Sequence, residues 1–273
     1  MSARSRLASL VLVLAVAVGA CARPQASSSL GSVRPPAGAP ALRVLISAAN
    51  PPYAFPEGDR FVGIEVDFAN ELAAALGRPL ALRALDFDMI IDTLAGGGAD
   101  LAMAGLTVTP AREVQIAFAD PWVRSGLLVL VRREDANLYP TPESVVTRGQ
   151  GIGVIRATTG ERYVNQRVQT SAIMSYPTAQ AAVDELRARR IDALVHDAPV
   201  VIWFASRDEA TLAPILKLLG DEPLAWGLRR GDDALRQQVN DVLARWRSDG
   251  TYARILGRWL PYWQRLESAG RSR

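Results

Sequence analysis

Three short stretches carry residues able to do chemistry. The first is Thr109-Pro110-Ala111-Arg112. A hydroxyl followed by proline reads as a helix start, with Thr109 as N-cap and Pro110 at the first helical position. Arg112 then stands third in the helix, where a capping box would carry Glu or Gln. A cation there faces the positive end of the helix dipole, at a cost of a few tenths to about 1 kcal/mol. An anion held by the guanidinium would offset that cost, and a fixed fork of donors beside exposed backbone N–H groups suits a carboxylate. Taken alone, the residue reads as a solvated surface arginine paired with Glu113 or Asp120.

The second stretch is Thr158-Thr159-Gly160-Glu161, which follows the apolar run ending at Ile155. Thr158 with Glu161 fits a capping box. A helix that begins just after a strand also offers unpaired N–H groups to an anion. The third is His196-Asp197-Ala198-Pro199. Asp197 fits a helix N-cap, and it equally fits a ligand contact: beside a carboxylate-binding pair it would complement an α-ammonium group. Such an ion pair at about 4 Å, in an effective dielectric near 20, is worth roughly 4 kcal/mol before desolvation. Phe87, in Leu85-Asp86-Phe87-Asp88, reads either as core or as a pocket wall just past a strand, and Tyr53 and Phe55 are open in the same way.

The elements that must position these groups alternate in type. Leu42–Ser47 reads as a strand. Phe61–Asp67 leads into a helix with Val66, Ala69, Leu72, Ala73 and Leu76 inward and Gly77 as its stop. Leu80–Leu85 alternates with period two, Met89–Leu94 is helical, and Asp100–Ala104 is a buried strand. The pattern returns with strands at Gly151–Ile155, Ile173–Tyr176 and Ile191–Val195 and helices starting at Thr158, Ala179 and Pro199. The helix–turn–aspartate–strand phrase around Asp100 is answered by the one around Asp192. The two phrases end in polar corners, at Gly105–Thr107 and at His196-Asp197. The end of the chain is helical over Asp233–Trp246 and Thr251–Leu260. This predicts an α/β fold with a mostly parallel sheet in each of two similar lobes, and a cleft between the carboxyl ends of their strands.

Composition narrows the partners. The net charge is +3, and the bases are interleaved with acids without an aromatic-rich basic stripe, which argues against nucleic acid. One histidine and one cysteine exclude an intramolecular disulfide and a cysteine metal cluster and argue against a histidine-based zinc site, so no metal or cofactor is expected. No Walker A, G-x-S-x-G or G-x-G-x-x-G stands in a strand-to-helix context. The leader carries Arg4 and Arg6 and then an apolar run, Leu7–Ala20, too short to span a bilayer, as in a secretory signal over 1–20. Val18-Gly19-Ala20-Cys21 resembles a lipobox, which implies cleavage before Cys21 and lipid on it. A Ser/Pro/Gly-rich tether follows to about residue 41.

From Leu42 to Leu260 the chain resembles the extracellular solute-binding proteins of polar amino-acid ABC transporters, the type II periplasmic binding protein fold. The residues that carry the resemblance are ordered along the chain: Asn50-Pro-Pro-Tyr53-Ala-Phe55, Gly63-Ile-Glu65-Val-Asp67, Asp86-Phe87 and Asp100 to Arg112. They continue with Phe118-Ala-Asp120-Pro-Trp122, Thr158–Glu161, His196–Pro199 and Asp249-Gly250-Thr-Tyr252. The resemblance implies two Rossmann-like lobes joined by hinge strands near Gly126–Val131 and Leu224–Leu228. Lobe 1 would comprise 42–125 and 226–262, lobe 2 126–225, and 263–273 a tail. It implies that Arg112 clamps an α-carboxylate with Gly105, Thr107 and Thr159, and Ala104 and Thr158 are expected among the ligand-binding residues. Asp197 would take the α-ammonium, Phe87 would form one aromatic wall, and Tyr53 is expected among the ligand-binding residues. Asn50 stands where many members carry an aromatic platform, and Ser47 where an acid is frequent. Glu65 either approaches the ligand side chain or is exposed at the helix entrance. With His196 and Asn50 it suggests a polar side chain, an amide or a cation.

The function so implied is a monomeric, lipid-anchored, extracytoplasmic substrate-binding protein that delivers an amino acid to ABC permease and ATPase subunits. Closure would be driven by charge-assisted hydrogen bonds made to both lobes at once. Two alternatives share the fold. One is an enzyme resembling periplasmic cyclohexadienyl dehydratases, acting on arogenate or prephenate with Glu161 as general acid. The other is the ligand-sensing subunit of a receptor.

Overall fold

The structure is a computed structural model in which residues 38–148, 150–168 and 172–261 are described. Cys21, the leader, most of the tether and the tail lie outside the described residues.

Leu42–Ile46 forms β1, buried except at Arg43. A hairpin of β2 (Phe55–Glu57) and β3 (Arg60–Val62) leads through Gly63 into α1 (Ile64–Ala75). Its inward stripe of Val66, Phe68, Ala69, Leu72 and Ala73 follows the helical period. The helix stops before Gly77, where the Arg78 amide donates back to the Ala73 carbonyl. Next come β4 (Leu80–Ala84), α2 (Ile90–Ala95), β5 (Leu101–Ala102), α3 (Pro110–Glu113) and β6 (Ala117–Phe118).

The long β7 (Val123–Arg132) opens a second run: α4 (Pro142–Arg148), β8 (Gly151–Ile155), α5 (Thr159–Arg167) and β9 (Ala172–Tyr176). It continues with α6 (Ala179–Arg187), β10 (Ala193–Asp197), α7 (Ala198–Arg207) and β11 (Leu212–Leu224). The chain then passes through β12 (Gly227–Leu228) into α8 (Asp233–Asp249) and α9 (Thr251–Trp259).

Apart from the two-stranded β2-β3 hairpin, these strands make two five-stranded sheets, ordered β4-β1-β5-β12-β6 and β11-β7-β10-β8-β9. In the first, β4, β1 and β5 are parallel, with Leu42 opposite Leu80 and Val44 opposite Leu101. In the second, β10, β8 and β9 are parallel and β7 runs antiparallel to β10. Each sheet thus has a three-stranded parallel core extended by antiparallel pairing, through β12 and β6 in the first and through β7 and β11 in the second, the two-lobed α/β architecture expected.

The paired phrases at Asp100 and Asp192 have the same structural job. Each aspartate precedes a core strand and accepts from the first amides of a neighbouring one. Asp100 takes the Arg43 amide at 3.1 Å and Asp192 the Gly151 amide at 3.1 Å. Asp100 also pairs with Arg43 and Arg78, and Asp192 with Arg132. The repeated motif therefore locks the strand starts, opposite the ends that carry the polar corners.

Two expectations are corrected. The helix carrying Arg112 is a single turn, so its dipole is too small to matter; the Thr109 cap is real, with the Arg112 amide donating to its hydroxyl. The first hinge segment, Gly126–Val131, lies inside the second sheet. The chain leaves the first sheet after Phe118, enters the second at Val123, and returns between Leu224 and Gly227.

The first lobe's core is aromatic. Phe68 packs between Trp226 at 5.2 Å and Trp122 and Trp246, both at 5.7 Å between ring centroids. Contact across to the second sheet's helices runs from Phe55 to Trp203 on α7, 5.1 Å apart.

Candidate functional site

Tyr53 is the floor of the site. It is wholly buried, edge-on to Trp122, and its hydroxyl donates to Asp197 Oδ2 across the cleft at 3.4 Å. Two glycines make room for it. A Cβ on Gly63, whose φ is +137°, would lie 2.2 Å from the Tyr53 carbonyl oxygen, which accepts instead from the Glu65 amide. A Cβ on Gly105, at φ +65°, would lie 2.7 Å from the Tyr53 ring.

The Gly105 turn is held from below by Glu65, whose Oε2 accepts the Gly105 amide at 2.7 Å. Glu65 is fully buried, so it is not exposed at the helix entrance. Burial is the main cause pushing its carboxyl up to about 8; Asp197 adds to this, while the Gly105 amide and the Trp226 and Trp122 indoles oppose it. Its Oε1 has no hydrogen-bond partner. Glu65 therefore supports the pocket wall as a largely neutral acid near pH 7. Ala104, next to Gly105, turns its methyl into the core of Leu45, Ile90 and Leu94, so only its backbone is available to a ligand.

Beyond Gly105 the chain is pinned to β11: Thr107 bridges Leu224, and the Val108 amide donates to the Pro223 carbonyl. This delivers Arg112 to the cleft. It is buried, at 7 % exposure, and not the solvated surface residue that its local sequence suggested. Its guanidinium donates to the Thr107 carbonyl at 2.9 Å and, across to the second lobe, to the Ala157 carbonyl at 3.2 Å. The Phe87 ring lies under it, 5.4 Å from guanidinium carbon to centroid. Neither Glu113 nor Asp120 pairs with it, and among the described residues no carboxylate lies within 4.0 Å of it. Desolvation lowers its basicity, Asp197 and Glu222 act to raise it and Arg162 to lower it. An arginine so placed stays a cation.

On the facing lobe, Thr158 caps α5, accepting the Glu161 amide and donating to the Ile155 carbonyl. As the first helical residues, Thr159 and Gly160 have amides with no carbonyl one turn earlier to bond. Glu161 is occupied at both oxygens, by the Ala157 amide and the Ser175 hydroxyl. A carboxylate tied into a cap in this way is a poor general acid.

Asp197 ends β10 at the N-cap position of α7, yet makes no capping bond. It is buried at 4 % exposure, and its carboxylate faces Tyr53 rather than the helix start. His196 is equally buried. Its Nδ1 accepts the Asp197 amide at 2.7 Å, which leaves the proton of a neutral ring on Nε2, an atom without a partner. Asn50 is half-buried beside Tyr53, whose amide donates to its carbonyl, and its Oδ1 is buried without a partner.

Nothing local in Leu219-Gly-Asp-Glu222-Pro-Leu marks Glu222 as a site residue. The structure nevertheless brings its carboxylate into the site, where it accepts from Thr159 Oγ1 at 2.8 Å and Thr107 Oγ1 at 3.2 Å. Burial, then Asp197, pushes it up to about 7 against the pull of the two hydroxyls and Arg112. Its place depends on β11 crossing back between the lobes, a long-range event without a local sequence signal.

The arrangement places the Arg112 guanidinium and the Asp197 carboxyl, both buried and not paired with each other, around a cleft between two α/β lobes, with Glu222 held by Thr107 and Thr159. Residues 42–262 match the family model of the bacterial extracellular solute-binding proteins, family 3. The L-cystine-binding protein TcyJ of Escherichia coli (strain K12) is 27% identical over 219 residues, covering 80% of this chain and 82% of that protein. An ancestral arginine-binding protein bound to glutamine superposes with a TM-score of 0.74 at 28% identity, over 81% of this chain and 97% of the other. The ancestral amino acid-binding protein AncCDT-1, a precursor of cyclohexadienyl dehydratase, gives a TM-score of 0.75 at 29% identity, over 80% and 94%.

Proposed function

This chain belongs to the bacterial extracellular solute-binding proteins, family 3, and from that premise we propose that it captures a free amino acid between its lobes for an ABC importer. The observation that carries the reading is Arg112. A buried guanidinium that lies over the Phe87 ring and donates to carbonyl oxygens, with no carboxylate partner among the described residues, is a cation suited to an anionic ligand. A ligand α-carboxylate completes it, with the Thr159 and Gly160 amides at the start of α5 on the other side. Asp197 receives the α-ammonium and Phe87 and Tyr53 flank it. Both ends of the zwitterion are then gripped from two lobes, which makes closure dependent on ligand.

We assign the ligand a polar side chain, an amide or a cation. Asn50 Oδ1 and His196 Nε2 support this: both are buried polar atoms without a protein partner. The named relatives include an arginine-binding protein bound to glutamine and a cystine-binding protein, which is the breadth such a side-chain pocket allows. Lobe 1 comprises 42–125 with 226–262 and lobe 2 126–225 in this reading. A lipid on Cys21 holds the monomer at the membrane, where the permease and ATPase subunits act.

The test is a thermal-shift screen against the proteinogenic amino acids. A ligand at about 1,000 times its Kd adds roughly 4 kcal/mol, a Tm rise of several degrees. Arg112→Ala and Asp197→Ala are each expected to abolish the rise while the apo protein stays folded. A flat response of the wild type to every amino acid overturns the proposal.

A further inference from the structure

Glu222 stands where the proposed ligand should be. Its Oε2 alone accepts from Thr107 of the first lobe and from Thr159 at the start of α5 in the second. We propose that Glu222 is a resident occupant of the ligand's carboxylate subsite: in the unliganded protein it latches the two lobes through Thr107 and Thr159, and the incoming α-carboxylate displaces it. This rests on the amino-acid reading above.

Three observations support it. Thr107 and Thr159 are residues that the family resemblance implies for the ligand's carboxylate, and a carboxylate is the acceptor that satisfies both of their hydroxyls at once. Glu222 follows a break in the β11–β7 register between Leu219 and Glu222, and such irregularities re-aim side chains out of a ladder. Glu222 is only half-buried, so it has a way out to water, unlike Asp197 and Glu65.

Displacement, not sharing, follows from charge. A ligand carboxylate on Thr107 and Thr159 would put two anions on one pair of donors, which disfavours ionisation of one of them. The charged and titratable groups facing Glu222 are Asp197 on β10, Arg112 on α3 and Tyr53 beneath, and only Arg112 is a cation. Its guanidinium lies beyond ion-pair distance of Glu222 and remains for the ligand. The internal carboxylate thus satisfies the hydroxyls without satisfying the arginine, a grip that a ligand bonding both can outcompete.

The experiment compares wild type with Glu222→Ala and Glu222→Gln at pH 8, where Glu222 is ionised. Calorimetry uses the amino acid that gives the largest thermal shift in the wild type, and small-angle scattering is recorded without ligand. Glu222→Ala is expected to bind about five- to ten-fold more tightly and to show a larger apo radius of gyration. Glu222→Gln, which keeps an acceptor but loses the charge, should fall between, and it serves as the readout if the alanine variant does not fold. Equal or weaker binding by both variants overturns the occupancy, and makes Glu222 a spectator or a ligand contact. An unchanged apo radius overturns the latch. Absence of binding by the wild type overturns the amino-acid reading and this proposal together.

Discussion

Glu65 illustrates how far one residue's role departs from its local appearance. At the mouth of a helix, with Asp67 in the same turn, it resembles a solvent-facing acid. Folded, it lies beneath Tyr53 and holds the Gly105 turn. Its carboxyl rises from 4.5 to about 8 because ionisation would strand a charge in the core. The folded state therefore binds one more proton than the unfolded state between these values. The stability that this uptake provides is fully present below about pH 4.5 and is lost as pH rises through 8; the full effect is on the order of 5 kcal/mol. Glu222 adds a smaller contribution of the same sign up to about 7. Glu65→Gln keeps an oxygen for the Gly105 amide and removes the titration. Its Tm is expected to exceed wild type by several degrees at pH 8.5, with a shallower fall between pH 5 and 8.5. Thermal unfolding across that range checks this; parallel profiles for the two proteins would contradict it.

At the scale of elements, the site depends on helix starts placed at strand ends. The Thr158 hydroxyl bonds the Glu161 amide and the Ile155 carbonyl, so it both starts α5 and ties it to β8. Thr158→Ala should cost about 1 kcal/mol, a Tm drop of a few degrees. It should also weaken amino-acid binding several-fold, because Thr159 and its amide would lose their fixed position. Differential scanning calorimetry with ligand titration checks both, and a stability loss with unchanged affinity would separate the cap from the site. These helix starts were legible from Thr109-Pro110 and from Thr158 to Glu161, since caps and strands are local chemistry. Asp197 was half legible. Its cap position is real, but that its side chain leaves the helix for Tyr53 depends on a residue 144 positions away.

At the scale of the whole molecule, the proposed anchoring and the proposed closure draw on different parts of the chain. Cys21 lies outside the described residues, and its lipid is a proposal with a direct test. Cys21→Ser, expressed in a host that processes lipoproteins, should move the protein from the membrane fraction to the soluble extracytoplasmic fraction while ligand binding is kept; retention in the membrane would refute the anchor. The proposed closure would act between the two lobes, where the β2–β3 hairpin already touches α7 through Phe55 and Trp203. By itself the sequence determined the α/β alternation, the two repeated lobes and the positions of Arg112, Thr159 and Asp197, because periodicity, capping and strand-end placement act within a few residues. Only the tertiary structure decided that Arg112 is buried, that Glu65 supports Gly105 from below, and that Glu222 bridges Thr107 and Thr159. The Glu222 bridge depends on β11 recrossing between the sheets, the Glu65 contact on packing within the first lobe, and burial, desolvation and charge pairing are set by neighbours in space rather than along the chain.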